Sequence, residues 1–235
     1  MGLHLDHIRA RAGSFEVSAN LSIDAGHRVA IIGASGSGKS TVLDVIAGFR
    51  AAYAGGVSWQ GKTITALPPA DRPIGILFQD TNLFPHLTIQ QNLALALRPA
   101  TGRLKPEDRE QIETVLARVG LAGFAPRYLS EMSGGQQSRA ALARALIQAR
   151  PVLLLDEPFS ALGPALKDEM LDLVAEIAAV ESTTVLLVTH DPQDARRFAQ
   201  ETIVVEDGTV HPPQETHALL DNPPPRLRDY LGVMR

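Results

Sequence analysis

One eight-residue segment constrains this chain more than any other feature. Residues 33–40 read GASGSGKS and match the pattern G-x-x-x-x-G-K-[ST]. The segment follows an apolar run at residues 28–32, typical of a buried strand, and precedes residues 40–47, which have a helical apolar period and end at Gly48. A strand, a glycine-rich turn and a helix in this order predict an α/β fold with a phosphate site at the helix start.

The residue types in this segment suit a polyphosphate. Glycines let successive backbone N–H groups turn inward around phosphate oxygens, and the helix N-terminus adds a positive dipole end. Lys39 can reach the β- and γ-phosphates, and the Ser40 hydroxyl can bind Mg²⁺. A turn without a ligand would not need the strand, the glycines, the lysine and the serine together. We therefore predict that a nucleotide tail is held by Gly33, Ala34, Ser35, Gly36, Ser37, Gly38, Lys39, Ser40 and Thr41.

Composition narrows the class of protein further. The 235 residues include 22 Lys and Arg against 26 Asp and Glu, a net charge of −4. Without a basic block, the chain has no electrostatic footprint for nucleic acid, which we do not expect as a partner. No apolar run approaches the ~20 residues that span a bilayer, and the N-terminus has no apolar signal core. The absence of cysteine excludes disulfides and makes the cytoplasm the default location.

Short apolar runs alternate with helical stretches along the chain. Residues 152–155 and 184–188, like 28–32, are typical of strands buried on both faces, which predicts a mainly parallel sheet. The runs at 4–8, 20–23 and 57–60 alternate in polarity and favour an N-terminal antiparallel β layer. The sequence thus predicts one α/β domain over residues 1–235.

A helical block interrupts this alternation. Pro106 begins a stretch of helical period that stops at Gly120, and a second stretch covers residues 137–149. We interpret residues 88–135 as an inserted helical subdomain and residues 216–235 as a short C-terminal tail. Asp191 is expected to cap a helix that begins at Pro192.

Two adjacent acidic residues follow the predicted strand 152–155. Asp156 and Glu157 lie at its carboxyl end, the edge at which open α/β sheets bind ligands. The phosphate loop follows another such strand, so we expect both at the same rim of the sheet. Asp156 then suits Mg²⁺ and its waters, and Glu157 can accept a proton from the attacking water.

A second glycine-rich helix start precedes residues 137–149. Its backbone N–H groups would form another anion site. The first loop of a chain already holds one triphosphate. The second anion site therefore suggests that each copy of the chain brings this site to the triphosphate of another copy, which predicts a homodimer. The residues are Ser133, Gly134, Gly135 and Gln136.

Together, these motifs resemble one family. The resemblance is to the ATP-binding subunits of ABC transporters, and it covers nearly the whole chain in order and spacing. It implies a P-loop NTPase core with a mainly parallel sheet, an N-terminal antiparallel β layer and an inserted helical subdomain. It also implies ATP and Mg²⁺ as ligands, and ATP hydrolysis coupled to transmembrane solute transport. The motifs are GASGSGKS at 33–40, FQD at 78–80, MSGGQ at 132–136, LLLDEP at 153–158, SALG at 160–163 and VTHD at 188–191.

The resemblance implies roles for single residues and partners. Gln79 would sense Mg²⁺ and couple to the membrane subunit, His190 would contact the γ-phosphate, and residues 133–136 would close on the partner's γ-phosphate. Implied partners are a second ATPase subunit, transmembrane permease subunits and, indirectly, a periplasmic solute-binding protein. The chain would be peripheral, on the cytoplasmic face of the inner membrane. The implied catalytic residues are Glu157, His190 and Gln79, and the implied metal ligands are Ser40, Gln79 and Asp156.

Within the family, residues 68–73 (PPADRP) and 77–84 (LFQDTNLF) are similar to the ATPases of thiamine importers. Three positions depart from the family pattern, and at one of them Met132 replaces the usual leucine before Ser133 with little change in volume. The aromatic residue that stacks on adenine is replaced at about Ala12, with Phe15 or Arg11 the nearest substitutes. Gly163 stands where the family has an aspartate that helps to organise the dimer interface and the attacking water.

Other functions stay open at this point. The solute could be iron, a polyamine, sulfate or another small molecule, and Gly163 is compatible with an ATP-binding regulatory subunit that hydrolyses weakly. A non-transport ABC ATPase would usually carry a long coiled-coil insertion or two cassettes, and the sequence has neither. A small-molecule kinase would leave the 133–136 segment and His190 unexplained.

Overall fold

The computed structural model describes residues 2–79, 83–99, 103–225 and 227–228, and in these residues eleven strands form one sheet. The strands are β1 (Leu3–Ala12), β2 (Phe15–Ile23), β3 (Arg28–Ile32), β4 (Ala54–Trp59), β5 (Lys62–Thr63), β6 (Ile74–Leu77), β7 (Val152–Asp156), β8 (Thr184–Val188), β9 (Glu201–Glu206), β10 (Thr209–Val210) and β11 (Gln214–Glu215). The helices are α1 (Lys39–Ala47), α2 (Ile89–Leu97), α3 (Pro106–Arg118), α4 (Gly134–Leu146), α5 (Pro164–Glu181), α6 (Pro192–Phe198) and α7 (Thr216–Asp221), with short 3-10 helices at Pro69–Asp71 and Leu129–Glu131.

The sheet has a parallel part and an antiparallel part. Strand order is β5-β4-β1-β2-β10-β9-β3-β8-β7-β6, and β11 pairs with β9. Strands β9, β3, β8, β7 and β6 are mutually parallel, whereas β1, β2, β4 and β5 pair antiparallel. The predicted α/β fold with a mainly parallel core and an N-terminal antiparallel layer is therefore confirmed.

Strand β3 shows why the parallel strands are continuously apolar. Val29 and Ile31 pack into the hydrophobic cluster that contains α1, and Ala30 and Ile32 pack into the cluster on the other face. All four are at most 1% exposed. Since successive residues of a strand point to opposite faces, a strand covered on both sides needs apolar residues at every position.

Several predicted boundaries were wrong: β1 and β2 extend beyond the predicted runs 4–8 and 20–23, and β4 begins before residue 57. Helix α4 covers Gly134–Leu146 rather than 137–149, because the Ser133 side chain caps it three residues earlier. It ends early because Ala149 adopts a left-handed φ of 49°, ahead of Pro151. Strand β4 ends at Trp59 rather than at Gln60, since Gln60 has a φ of 48° and begins the turn to β5.

The helical block contains α2, α3 and α4, which pack together with α5 in one hydrophobic cluster. Helix α3 begins with Pro106 at its first turn, as predicted, and Gly120 follows its end with a φ of 73°. The subdomain boundaries 88–135 stay a prediction. Part of the predicted tail, residues 226 and 229–235, lies outside the described residues. Across the described ranges, no helix combines the length and apolar character needed to cross a bilayer.

Candidate functional site

An open cavity of about 570 Å³ lies at the carboxyl ends of β3, β7 and β8. Strands that end at the same edge of a parallel sheet bring their following loops together, so residues far apart in sequence meet here. The lining residues are Ala12, Phe15, Gly33, Ser35, Gly36, Gly38, Lys39, Ser40, Thr41, Glu157 and His190.

Two glycines in the loop between β3 and α1 are required by close approach of other chain segments. At Gly33, with a φ of 154°, a Cβ atom would lie 2.2 Å from the carbonyl oxygen of Val205. At Gly38, with a φ of 110°, a Cβ atom would lie 2.9 Å from the Val17 side chain. Only glycine allows this loop to curl tightly against the sheet and the N-terminal layer.

The Lys39 side chain is folded back into this loop. Its Nζ atom donates hydrogen bonds to the carbonyl oxygens of Gly33, at 2.7 Å, and Ala34, at 2.9 Å. Lys39 is only 7% exposed, and burial lowers the pKa of its ammonium group, against the attraction of Glu157 and Asp156. An ammonium has three N–H donors, so this geometry leaves one for an anion in the cavity. The loop therefore fits a phosphate group.

Ser40 and Asp156 meet beneath the cavity. The Ser40 Oγ atom donates to Asp156 Oδ1 at 3.4 Å. Burial raises the pKa of Asp156 in spite of this hydrogen bond, and the carboxylates of Glu157 and Asp44 raise it further. A hydroxyl and a carboxylate side by side, with excess negative charge, are the oxygen donors that Mg²⁺ prefers. This donor set fits the predicted metal.

Glu157 and His190 are brought together from two different strands. Glu157 follows β7 and His190 follows β8, and the His190 Nδ1 atom lies 3.2 Å from Glu157 Oε2. Glu157 has a left-handed φ of 45°, and its N–H donates to the Val188 carbonyl oxygen at 3.1 Å. Such a backbone conformation is costly for a non-glycine residue and is often kept where it directs a functional side chain.

Other predicted site residues lie apart from this cavity. Ser133 caps α4 in a reciprocal pair with Gln136, at 3.0 and 3.3 Å. Residues 133–136 are not among the described residues that line the cavity. Gln79 is exposed just after β6, also outside the lining, and the adjacent Asp80 lies outside the described residues.

The structure distinguishes between the two substitutes for an adenine-stacking residue. Phe15 lines the cavity together with Ala12, and a Cβ atom on Gly38 would lie 3.1 Å from the Phe15 ring. Arg11 instead turns to Glu16, at 3.5 Å, and its guanidinium stands 5.0 Å from the Tyr53 ring centre. Of these two candidates, Phe15 is therefore the one that lines the cavity.

Sequence reasoning missed a charged cluster behind His190. The Lys167 Nζ atom lies 2.6 Å from carboxylate oxygens of both Asp191 and Asp194. Lys167 is 24 residues before Asp191 in sequence, and no local pattern relates the two. The predicted cap at Asp191 is confirmed, because its carboxylate accepts from the Gln193 N–H at 2.9 Å.

Known proteins resemble this chain in sequence and in fold. A family model described as "ABC transporter" matches residues 17–160. The "Thiamine import ATP-binding protein ThiQ" of Ruegeria sp. (strain TM1040) is 56% identical over 231 residues, which cover 98% of this chain and 100% of the relative. The protein of the same name from Cereibacter sphaeroides is 57% identical over 230 residues, 98% of this chain and 99% of the relative.

Solved structures agree with this match. A dimeric post-hydrolysis state of the ATP-binding cassette MJ0796, bound to ADP and Pi, is 31% identical with a TM-score of 0.77, covering 91% of this chain and 98% of that one. A nucleotide-free cassette from an ABC transporter shares the fold at 24% identity, with a TM-score of 0.84 over 94% of this chain and 96% of that one. The family resemblance expected from the motifs is confirmed: this chain belongs to the ABC transporter family and is one of its ATP-binding, ATP-hydrolysing cassettes.

Proposed function

We propose that this chain is the ATPase subunit of a thiamine importer, acting as a homodimer on the cytoplasmic face of the membrane. One observation carries the enzymatic part: Lys39, Glu157 and His190 line a single cavity at the carboxyl edge of the parallel sheet. The solute is supported by the relatives named for thiamine import, which match almost the whole chain at 56% and 57% identity.

The ATP tail is held by the loop between β3 and α1. In this proposal backbone N–H groups of residues 33–41 surround the β- and γ-phosphates, and every residue of this segment except Ala34 and Ser37 lines the cavity. The buried Lys39 ammonium supplies the positive charge. Phe15 stacks on the adenine ring, since its aromatic side chain lines the cavity.

Ser40 and Asp156, with Gln79 from the neighbouring strand end, would hold Mg²⁺. The 3.4 Å contact between Ser40 and Asp156 and the burial of that carboxylate support this assignment. When bound, Mg²⁺ offsets charge that develops on the phosphates during transfer.

Glu157 acts as the general base. Its carboxylate removes a proton as the water oxygen bonds to the γ-phosphorus and the bond from phosphorus to the ADP oxygen breaks. His190, 3.2 Å from Glu157, holds that carboxylate in position and contacts the γ-phosphate.

The second half of each site comes from another copy of the chain. Residues 133–136 lie outside the nucleotide cavity of their own chain, although their helix start presents N–H donors for an anion. In a two-fold dimer, each copy would place this segment over the nucleotide of the other. The dimeric cassette MJ0796 supports such an arrangement.

A second cavity, of about 600 Å³, supports the membrane partner. We call it the apolar groove; Phe49 and Phe84 are 56% and 41% exposed there, and the Phe49 and Phe78 rings are 5.8 Å apart. Exposed apolar surface of this kind marks an interaction site. The permease would dock an apolar segment here, beside Gln79, and receive solute from a periplasmic binding protein. The groove is lined by Phe49, Pro69, Ala70, Ile74, Ile76, Leu77, Phe78, Leu83, Phe84, Leu95, Ala96, Ala141, Arg144, Ala145 and Gln148.

The test is co-purification followed by transport. A tagged chain is used to isolate its membrane partner, and the complex is placed in proteoliposomes with labelled thiamine. We expect thiamine transport that requires MgATP and is lost in Glu157→Gln. The double variant Phe49→Ser/Phe84→Ser should lose the partner but keep ATP binding. Transport of iron, a polyamine or sulfate without thiamine would overturn the proposed solute.

A further inference from the structure

We propose that Lys167 is a positioning residue that holds His190 beside Glu157 by binding Asp191 and Asp194. The inference rests on the roles proposed above for Glu157 and His190. Lys167 does not line the nucleotide cavity, so it would act through the segment that carries His190 rather than on the nucleotide.

Lys167 joins α5 to the first turn of α6 at two points. Its Nζ atom lies 2.6 Å from Asp191 Oδ2 and 2.6 Å from Asp194 Oδ1. Asp191 is the residue directly after His190 and caps α6, and Asp194 lies one turn further on. A single ammonium group therefore fixes the start of α6 against α5.

Hydrogen bonds extend this contact to the residue before His190. The Thr189 hydroxyl donates to Asp194 Oδ2 at 2.6 Å and accepts from the Asp191 N–H at 3.0 Å. Both backbone neighbours of His190 thus belong to the network that Lys167 organises. The His190 side chain itself is 64% exposed, so its placement beside Glu157 depends strongly on the backbone on either side.

Burial makes this network sensitive to the loss of its cation. The side chains of Lys167, Asp191 and Asp194 are 19%, 33% and 10% exposed. Burial alone would lower the pKa of Lys167, but hydrogen bonds to Asp191 and Asp194 raise it above its usual value. Without the ammonium, two carboxylates would face each other in a partly buried place and repel, which displaces the segment.

Helix α5, whose first turn carries Lys167, also follows Glu157 closely in the chain. The Ser160 hydroxyl and N–H both donate to the Glu157 carbonyl oxygen, at 3.0 and 3.3 Å, and α5 begins four residues later. A small cavity of about 100 Å³ separates the start of α5 from the site, and its lining includes Glu157, Lys167 and His190. Lys167 and Asp194 both line this cavity, so their ion pair lies beside Glu157 and His190.

The decisive variant is Lys167→Met, which keeps the apolar stem and removes the ammonium. We expect kcat for ATP to fall by between about tenfold and a hundredfold, the cost of a small misplacement of a reacting group, with KM within about twofold. In NMR spectra, the His190 ring signal, assigned by its loss in His190→Gln, should shift and broaden. Lys167→Arg should restore part of kcat, because it returns the cation.

The matched control is Arg197→Met. Arg197 also joins α6 to α5, through Asp168 at 3.0 Å and Asp172 at 2.5 Å, but it is exposed and stands away from His190. Its removal should leave kcat within about twofold of the wild-type value. The His190 signal should not shift. If Arg197→Met lowers kcat as much as Lys167→Met does, the proposal is wrong. Activity would then depend on the packing of α6 against α5 in general.

Two further outcomes keep the test decisive. If Lys167→Met does not fold, the triple variant Lys167→Met/Asp191→Asn/Asp194→Asn removes all three charges and should show the same loss. Wild-type kcat with an unchanged His190 signal in either variant would overturn the proposal. If His190→Gln keeps wild-type kcat, the proposed role of His190 is wrong, whereas the NMR signal still shows whether Lys167 positions that side chain.

Discussion

The His190 Nδ1 atom lies 3.2 Å from Glu157 Oε2, and the two residues follow adjacent parallel strands, β8 and β7. The Glu157 N–H also donates to the carbonyl oxygen of Val188, two residues before His190, at 3.1 Å. Strand register therefore brings the segments that carry the two residues together, and it gives them the rigid support that a catalytic pair requires.

Glu157→Gln should separate binding from hydrolysis. The amide keeps the size of the side chain but cannot accept the proton of the attacking water, so we expect turnover to fall by roughly a hundredfold or more. ATP binding should persist, and an ATP-bound dimer should accumulate. Steady-state ATPase rates and size-exclusion chromatography with ATP measure both effects. Wild-type turnover would place the base elsewhere, with His190 the next candidate.

Phe15→Ala should weaken the binding of ATP but not that of tripolyphosphate. Stacking of one base on an aromatic ring contributes about 1–3 kcal/mol, so the ATP affinity should fall by roughly fivefold to a hundredfold. Phe15 packs beside Gly38 at the cavity and makes no phosphate contact in our proposal. Calorimetry with both ligands checks this, with Phe15→Tyr as the control that keeps the ring. Equal losses for both ligands would show a disturbed phosphate loop instead.

Ser37→Ala should stabilise the protein slightly. The Ser37 Oγ atom is buried without a hydrogen-bond partner among the described residues, in a residue that is 6% exposed. Removing an unsatisfied buried hydroxyl should raise the free energy of unfolding by up to about 1 kcal/mol. Urea denaturation measures the change, and Ser35→Ala, at an exposed position of the same loop, is the control. A lower free energy of unfolding would mean that the hydroxyl has a partner.

Asp108→Asn should alter acid stability. Arg98 donates to both carboxylate oxygens, at 2.8 and 3.1 Å, and the Lys105 N–H donates at 2.8 Å. The Arg98 hydrogen bonds, followed by that from Lys105, lower the pKa of Asp108. The stabilisation is then present above the ordinary aspartate pKa of about 3.9 and is lost as pH falls through the lower folded-state value.

The urea midpoint of Asp108→Asn should therefore lie below that of wild type at pH 7, and the difference should narrow below about pH 4. Glu107→Gln is the matched control, because the Glu107 side chain is 67% exposed. Its carboxylate makes only a long contact with the Lys105 ammonium, at 3.9 Å. A difference that stays constant with pH would contradict the assignment.

The sequence was sufficient wherever the pattern is local. Strand β3, the glycine-rich loop and α1 follow from a run of apolar residues, a glycine-rich motif and a helical period, and the structure places them as expected. The start of α4 was missed because the reciprocal cap of Ser133 and Gln136 outweighs the poor helix propensity of two glycines.

Contacts between residues far apart in the chain could not be predicted from the sequence. Phe15 and Arg11 were equivalent candidates until the β1–β2 register turned one to the cavity and the other to Tyr53. The partners of Lys167 lie 24 and 27 residues away and meet it only because α5 and α6 pack together. No periodicity encodes such a meeting.

Mixed dimers should show that each ATP site is shared between two copies. Lys39→Ala breaks the phosphate loop, and Gly135→Asp breaks the helix start, where a Cβ atom would already lie 2.5 Å from the Leu166 side chain. A dimer of one chain of each kind has one intact composite site and one site with both defects. We therefore expect the mixture to hydrolyse ATP faster than either variant alone, at up to about half the wild-type rate per mixed dimer if the sites act independently. Circular dichroism confirms folding, and differently tagged chains confirm mixed pairs. If mixed dimers are shown to form but hydrolyse ATP no faster than either variant alone, the shared-site arrangement is wrong.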